Sequence, residues 1–280
     1  MFLLNPVDFS SPPGVSLLPV MRLPRHSIAT WHLLALAGPL VAALSTPAWA
    51  YEAITVEQGA TLAGIVKLDG AVPPPRSHKV TMGSNPEYCQ AIADPKGDVV
   101  VPQARVSSSK TVADVVVFLL NAEKGKAVPQ EGPVVAVDLC RFVPPVSVGM
   151  HGQSLRLAMR DTILHQIRGW EMQEKSRLPL YHVEGLNAGQ ERALPLEPRR
   201  SGIVKLECDQ HRFMEGWVLI TTNPYAFVTG EDGVFAITDI PPGDYTIAAW
   251  HPTLGYQQGQ VTLTAGHRTT VTLTLTPPTP

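Results

Sequence analysis

Charge is scarce in this 280-residue chain: Lys, Arg, Asp and Glu make up 16% of it, and the formal net charge is −2. A near-neutral chain without basic runs carries no electrostatic footprint for nucleic acid or for an anionic membrane surface. Long helical periodicity is missing as well, because apolar residues do not recur at three- and four-residue spacing over any useful length. Hydrolase signatures are absent: there is no Gly-x-Ser-x-Gly, no His-Glu-x-x-His and no phosphate loop. No enzymatic activity is therefore expected, and His251, in Ala248-Ala249-Trp250-His251-Pro252, reads as structural or surface rather than catalytic. Cysteine is rare and odd in number, at three.

What is abundant is turn chemistry. The 27 prolines and 22 glycines suit a β protein with many short strands better than a helical one. Residues 1–50 read as a secretory signal peptide, with Arg22 and Arg25 as its basic region, an apolar run from Trp31 to Leu44 and a small-x-small cleavage site at Ala48-Trp49-Ala50. The apolar run falls short of the roughly 20 residues a membrane helix needs, and Met21 is an alternative natural start. Cleavage would remove two basic residues and one acidic one, leaving the chain near neutral. A periplasmic or secreted location follows.

Strand patterns fill the remainder. Gly64–Gly70 reads as a strand and turn, followed by Pro73–Pro75. Residues 81–98 read as a loop with one helical turn near 86–93. Val112–Leu120 is apolar on both faces apart from Asp114, as a buried strand would be. Val134–Leu139, Ser154–Met159, Ile203–Cys208 and Trp217–Thr221 are further strands, while 168–200 looks irregular. After Pro224, turns at Thr229–Gly233 and Pro241–Asp244 separate short alternating strands that include Tyr245–Trp250 and Val271–Leu275.

The chemically informative string is Leu206-Glu-Cys-Asp-Gln-His-Arg-Phe-Met214. Its Cys-x-x-His-x-x-Met spacing on a tight loop gathers a thiolate, an imidazole and a thioether around one point. Soft sulfur with imidazole selects copper, and two imidazoles, one thiolate and a long axial Met make the blue-copper electron-transfer arrangement. Cys208, His211 and Met214 would supply three ligands. His165, just past Ser154–Met159, is the best candidate for the fourth, with His182 in reserve. Singly, each residue has a bland reading: a solvated His, a core Met, a Cys in a disulfide. Their combination on one loop argues for one copper ion per chain. The edge of His211, flanked by Arg212, Phe213 and Trp217, would be the electron port. With Cys208 a ligand, Cys89 and Cys140 are expected to pair as a disulfide across the junction between two domains.

The run CDQHRFMEGWVLI resembles the ligand loop of amicyanin and related small cupredoxins, and QSLRLAMRDTILHQI resembles the stretch that delivers their first His. The resemblance covers roughly 130–223 and implies a Greek-key sandwich with His165, Cys208, His211 and Met214 as copper ligands. Where such proteins continue with Asn-Val-His, this chain has Gln166-Ile167-Arg168, and Arg212 replaces a proline. Gly64-Ile-Val66, Asp232-Gly-Val-Phe235 and Pro241-Pro-Gly-Asp-Tyr-Thr-Ile247 resemble the marks of a carboxypeptidase regulatory-like (transthyretin-like) domain. The whole resembles periplasmic cupredoxin-like proteins, some labelled methylamine-utilisation proteins. The expected organisation is all-β, with 51–124 and 224–280 forming a discontinuous transthyretin-like sandwich and 125–223 an inserted cupredoxin domain. The expected function is one-electron transfer to a periplasmic redox partner protein. Copper storage or delivery, or a non-redox glycan- or protein-binding module, are the alternatives.

Overall fold

The computed structural model describes residues 51–174 and 176–278, so the signal peptide expected over 1–50 lies outside the described residues. The described chain is β throughout, apart from single helical turns between Val80 and Ile92. Among the described residues no helix is long and apolar enough to cross a membrane.

Two sandwiches share this chain. In the first, the sheet of Ala226–Val228, Val116–Leu119, Gly243–His251 and Gly255–Leu263 faces the sheet of Val234–Ile240, Ala60–Leu68 and Arg268–Leu275. Leu62, Val66, Val115, Val117, Leu119, Tyr225, Phe235 and Ile247 fill the space between them. Residues far apart in sequence meet here, with Val116 opposite Trp250 and Leu62 opposite Thr269. In the second, a five-stranded sheet runs in the order Arg177–Val183, Ile167–Met172, Ile203–Cys208, Glu215–Thr221, Val146–Met150. It covers a four-stranded sheet ordered Glu191–Pro195, Ser154–Met159, Val134–Val137, Phe142–Val143.

The doubly apolar strand Val116–Leu119 has a use for each face. Val117 and Leu119 enter the first core, while Val116 and Phe118 join Ala248 and Trp250 against Val146 and Leu219 of the second sandwich. The Trp217 and Trp250 rings meet edge to face across this contact, their centroids 6.2 Å apart. Asn223 ties the crossing strand ends together. Its side-chain amide donates to the Leu119 carbonyl at 2.8 Å, and its oxygen accepts from the Tyr225 amide at 3.0 Å.

Two expectations need correction. Residues 76–101 do not stay with the first sandwich: Val80, Cys89 and Val99 are buried in the second core, and Arg76–Lys79 pairs with Asp98–Val101 beside it. The segment between Val66 and Val112 thus leaves one body, serves the other and returns, which composition alone does not signal. Nor is 168–200 irregular, since it holds the strands Ile167–Met172, Arg177–Val183 and Glu191–Pro195. Its first strand points Ile167, Gly169 and Glu171 inward, and a glycine and a carboxylate hide the apolar alternation. Glu171 is fully buried and accepts from the amides of Arg199, Arg200 and Ser201 at 2.9, 2.6 and 2.6 Å. Those bonds replace the water it gave up.

Candidate metal centre

Register explains how His165 reaches Cys208. Ile167 lies opposite Cys208 in the five-stranded sheet, so the loop leaving Ser154–Met159 delivers His165 two residues before that pair. Beyond Cys208 the chain makes two consecutive turns, closed by His211 N donating to Cys208 O at 3.3 Å and Met214 N donating to His211 O at 2.9 Å. A Cys-x-x-His-x-x-Met spacing is what such a pair of turns requires, since each third residue returns to the same side.

Cys208 Sγ lies 3.6 Å from Nδ1 of His165 and 3.6 Å from Nδ1 of His211, and the two nitrogens are 3.2 Å apart. A point equidistant from all three atoms is therefore about 2.0 Å from each, close to ordinary metal–imidazole lengths and slightly short for metal–sulfur. Two imidazoles and one thiolate in a triangle fit copper in size and in softness. All three residues are buried, so this donor set is formed by the fold rather than gathered from a mobile surface. Met214, also buried, packs in the same core one turn beyond His211. His182 stands apart, exposed on its strand beside Glu184.

The far nitrogen of each imidazole is held as well. Asp161, itself buried, accepts from Nε2 of His165 at 2.9 Å, and also from the amides of Leu139 at 2.6 Å and Cys140 at 2.8 Å and the hydroxyl of Tyr88 at 3.2 Å. An ionised carboxylate there keeps a proton on Nε2 and turns Nδ1 toward Cys208. Burial works against a charged His165, but the Asp161 hydrogen bond and the nearby Cys208 sulfur outweigh it and raise the imidazole to about 9. Burial likewise opposes a Cys208 thiolate, yet hydrogen bonds from His165, His211 and the Gln210 amide bring the thiol down to about 6. The pair thus favours thiolate and imidazolium, and the soft ligand is charged at neutral pH.

His211 does not present an open edge. It is fully buried, and its Nε2 donates to the carbonyl of Ser84 at 2.7 Å. The segment 80–92 lies over it as a cap. Gly83 sits so close that a Cβ there would be 2.9 Å from the Gln210 carbonyl and 3.0 Å from His211 Cδ2. The expectation of a solvent-facing port at His211 is corrected accordingly. The cap is tied down by Tyr88 on Asp161 and by the Cys89–Cys140 disulfide. Both cysteines belong to the second core, so the bridge fastens the cap to the metal-centre body and does not join the two sandwiches.

The ligand loop has its own anchor. The Asp209 amide donates to the Gln166 carbonyl at 2.9 Å, and the Arg168 guanidinium donates to the Asp209 carboxylate at 2.8 Å. Gln166 reaches outward with its side chain to Glu184 at 3.3 Å. Backbone pairing and an ion pair therefore hold the Cys208–Met214 loop.

Sequence reasoning missed Asp161, Tyr88 and Ser84. For Asp161 the spacing of four from His165 is the one signal the sequence carries. Ser84 contributes a main-chain oxygen, which leaves no trace in residue identity.

No protein-family model and no curated protein matches this chain. Among solved structures, a copper-containing nitrite reductase from Thermus scotoductus SA-01 aligns with 34% of this chain and 23% of its own length, at 16% identity and a TM-score of 0.27. Amicyanin from Paracoccus versutus aligns over 37% of this chain and 96% of its own, at 18% identity and a TM-score of 0.27. A purple cupredoxin from Nitrosopumilus maritimus aligns over 32% and 99%, at 18% identity and 0.28. Each alignment spans about a third of this chain.

Proposed function

We propose that this chain is a periplasmic type 1 copper protein that carries single electrons between redox partner proteins and is not itself an enzyme. The observation that supports it is the triangle of His165 Nδ1, His211 Nδ1 and Cys208 Sγ, with both imidazoles fixed from behind by Asp161 and Ser84. Copper, when bound, would supply the one-electron couple. The protein's part is to present donors that need not move, because reorganisation between oxidation states is what slows electron exchange. Met214 would be the weak axial ligand. In this reading the first sandwich is a transthyretin-like host, and the leader over 1–50 directs export.

The test is purification with Cu(II), followed by optical and EPR spectra. A thiolate-to-copper band that vanishes in Cys208→Ser, and a Met214→Leu protein that keeps copper at a shifted potential, are the expected results. A Cys208→Ser protein that keeps its full colour refutes the ligand set. A second reading, copper storage or delivery, is favoured by the cap: a ligand imidazole closed off by 80–92 suits retention more than rapid exchange. A site that takes only Cu(I) and stays colourless in air would decide for it.

A further inference from the structure

The disulfide lies against the metal centre. The sulfurs of Cys89 and Cys140 and one ring nitrogen of His211 are all within 4.8 Å of one another, and all three residues are buried. Cys140 is also within that distance of Asp161 and His165. While the S–S bond is intact, its sulfurs are poor donors and hold the cap down. Once the bond is broken, the same place offers two thiols and an imidazole.

We propose that Cys89, Cys140 and His211 form a soft-metal site, fit for Cu(I), that exists only when the disulfide is reduced. Two thiolates beside an imidazole select Cu(I) or another thiophilic ion over hard cations. The chemistry balances with a dithiol as reductant. It gives two electrons and two protons to the Cys89–Cys140 bond, producing two thiols, and closes to its own disulfide. Cu(I) then displaces the thiol protons to water and keeps its oxidation state. Access is provided by the cap. Between residues 80 and 92 only Val80 and Cys89 are fully buried, so the segment has little core to release when it lifts. The same event that creates the thiols also removes the covalent tie that closes the cap over His211. The site shares His211 with the His165–Cys208 triangle but uses neither His165 nor Cys208, so it forms or fails apart from the one-electron reading.

Cys208→Ser combined with His165→Ala in the full chain dismantles the triangle and leaves Cys89, Cys140 and His211 in place. The metal-free variant, oxidised or reduced with a phosphine and desalted without oxygen, is titrated with Cu(I) against a chromogenic Cu(I) chelator. The reduced variant is expected to hold about one Cu(I) per chain in competition with the chelator, while the oxidised variant holds none. Adding Cys140→Ser abolishes the uptake. Equal uptake by the oxidised and reduced forms overturns the proposal, as does uptake that survives Cys140→Ser. Near-ultraviolet circular dichroism follows the fold throughout. A reduced chain that unfolds and is refolded by Cu(I) supports the site, and one that Cu(I) leaves unfolded overturns it.

Discussion

Asp161→Asn tests how the donor set is held. The carboxylate uses both oxygens: Oδ1 accepts from Leu139 N and Tyr88 Oη, and Oδ2 from Cys140 N and His165 Nε2. An amide keeps one oxygen and replaces the other with an NH2 group. If that group faces Leu139, a partly buried backbone donor loses its acceptor. If it faces Cys140 and His165, one backbone donor is lost and His165 must move its proton to Nδ1 to accept from the amide. Either way at least one charge-assisted hydrogen bond to a backbone amide disappears, which costs about 1.5–3 kcal/mol in the metal-free protein. In the second case Nε2 loses the carboxylate that holds the ring, and copper affinity falls by about 10–100-fold, the usual effect of removing a ligand-orienting partner. Urea unfolding of the metal-free protein reads the first quantity, and competition with a copper chelator reads the second. Asp161→Ala leaves no acceptor for His165 Nε2 in either orientation, and an affinity within about twofold of the unsubstituted protein in that variant would refute the claim that Asp161 orients His165.

Three further outcomes are expected. Glu171→Gln keeps Oε1 on Arg200 and Ser201 but turns a donor toward the Arg199 amide, so stability should drop by about 2 kcal/mol in a urea titration, with Glu171→Leu worse. Gly83→Ala pushes a methyl group against His211 and the Gln210 carbonyl; overpacking on this scale should raise the rate of Cys208 labelling by a thiol reagent about tenfold in metal-free protein, and an unchanged rate would mean that 80–92 is not a cap. Burial holds His251 near 4, against the ordinary 6.5, with Arg105 adding to the effect and Asp114 opposing it. Its depressed value means the unfolded chain takes up the proton first. The contribution is therefore complete above pH 6.5 and is lost as pH falls toward about 4, to a total of about 3 kcal/mol. Its Nδ1 accepts from the amides of Thr253 and Leu254, a role the Asn oxygen can take over, so His251→Asn should flatten the slope of stability against pH across that window, and an identical slope in both proteins refutes it.

What could be read in advance depended on whether the physics was local. Cys208, His211 and Met214 share one pair of turns, so their spacing carries their geometry. An odd cysteine count leaves a pairing problem with few answers, and the bond joining Cys89 to Cys140 is one of them. The apolar run around Val116 signals burial on both faces, but not that one face is a core and the other a contact between sandwiches. Non-local burial was illegible. Glu171 is acidic yet inward because amides from residues 199–202 meet it, and no feature of Ile167–Met172 announces that. The cap escaped for a similar reason, since its hold on His211 is a carbonyl supplied from 127 residues upstream.

The pairing of Ala60–Leu68 with Arg268–Leu275 has a consequence for how the molecule is made. Those partners, parallel and roughly two hundred residues apart, form the central contact of the first sandwich. During vectorial synthesis or export the second sandwich has all its strands once Thr221 emerges, whereas the first still lacks five strands. The metal-centre body can therefore fold while Ala60–Leu68 and Val116–Leu119 wait for the rest of their sandwich, with the Val117 and Leu119 face uncovered. That interval is when the chain is most exposed to misassociation. A ribosome-stalled or truncated chain ending near residue 223 is thus the state in which a chaperone would be needed.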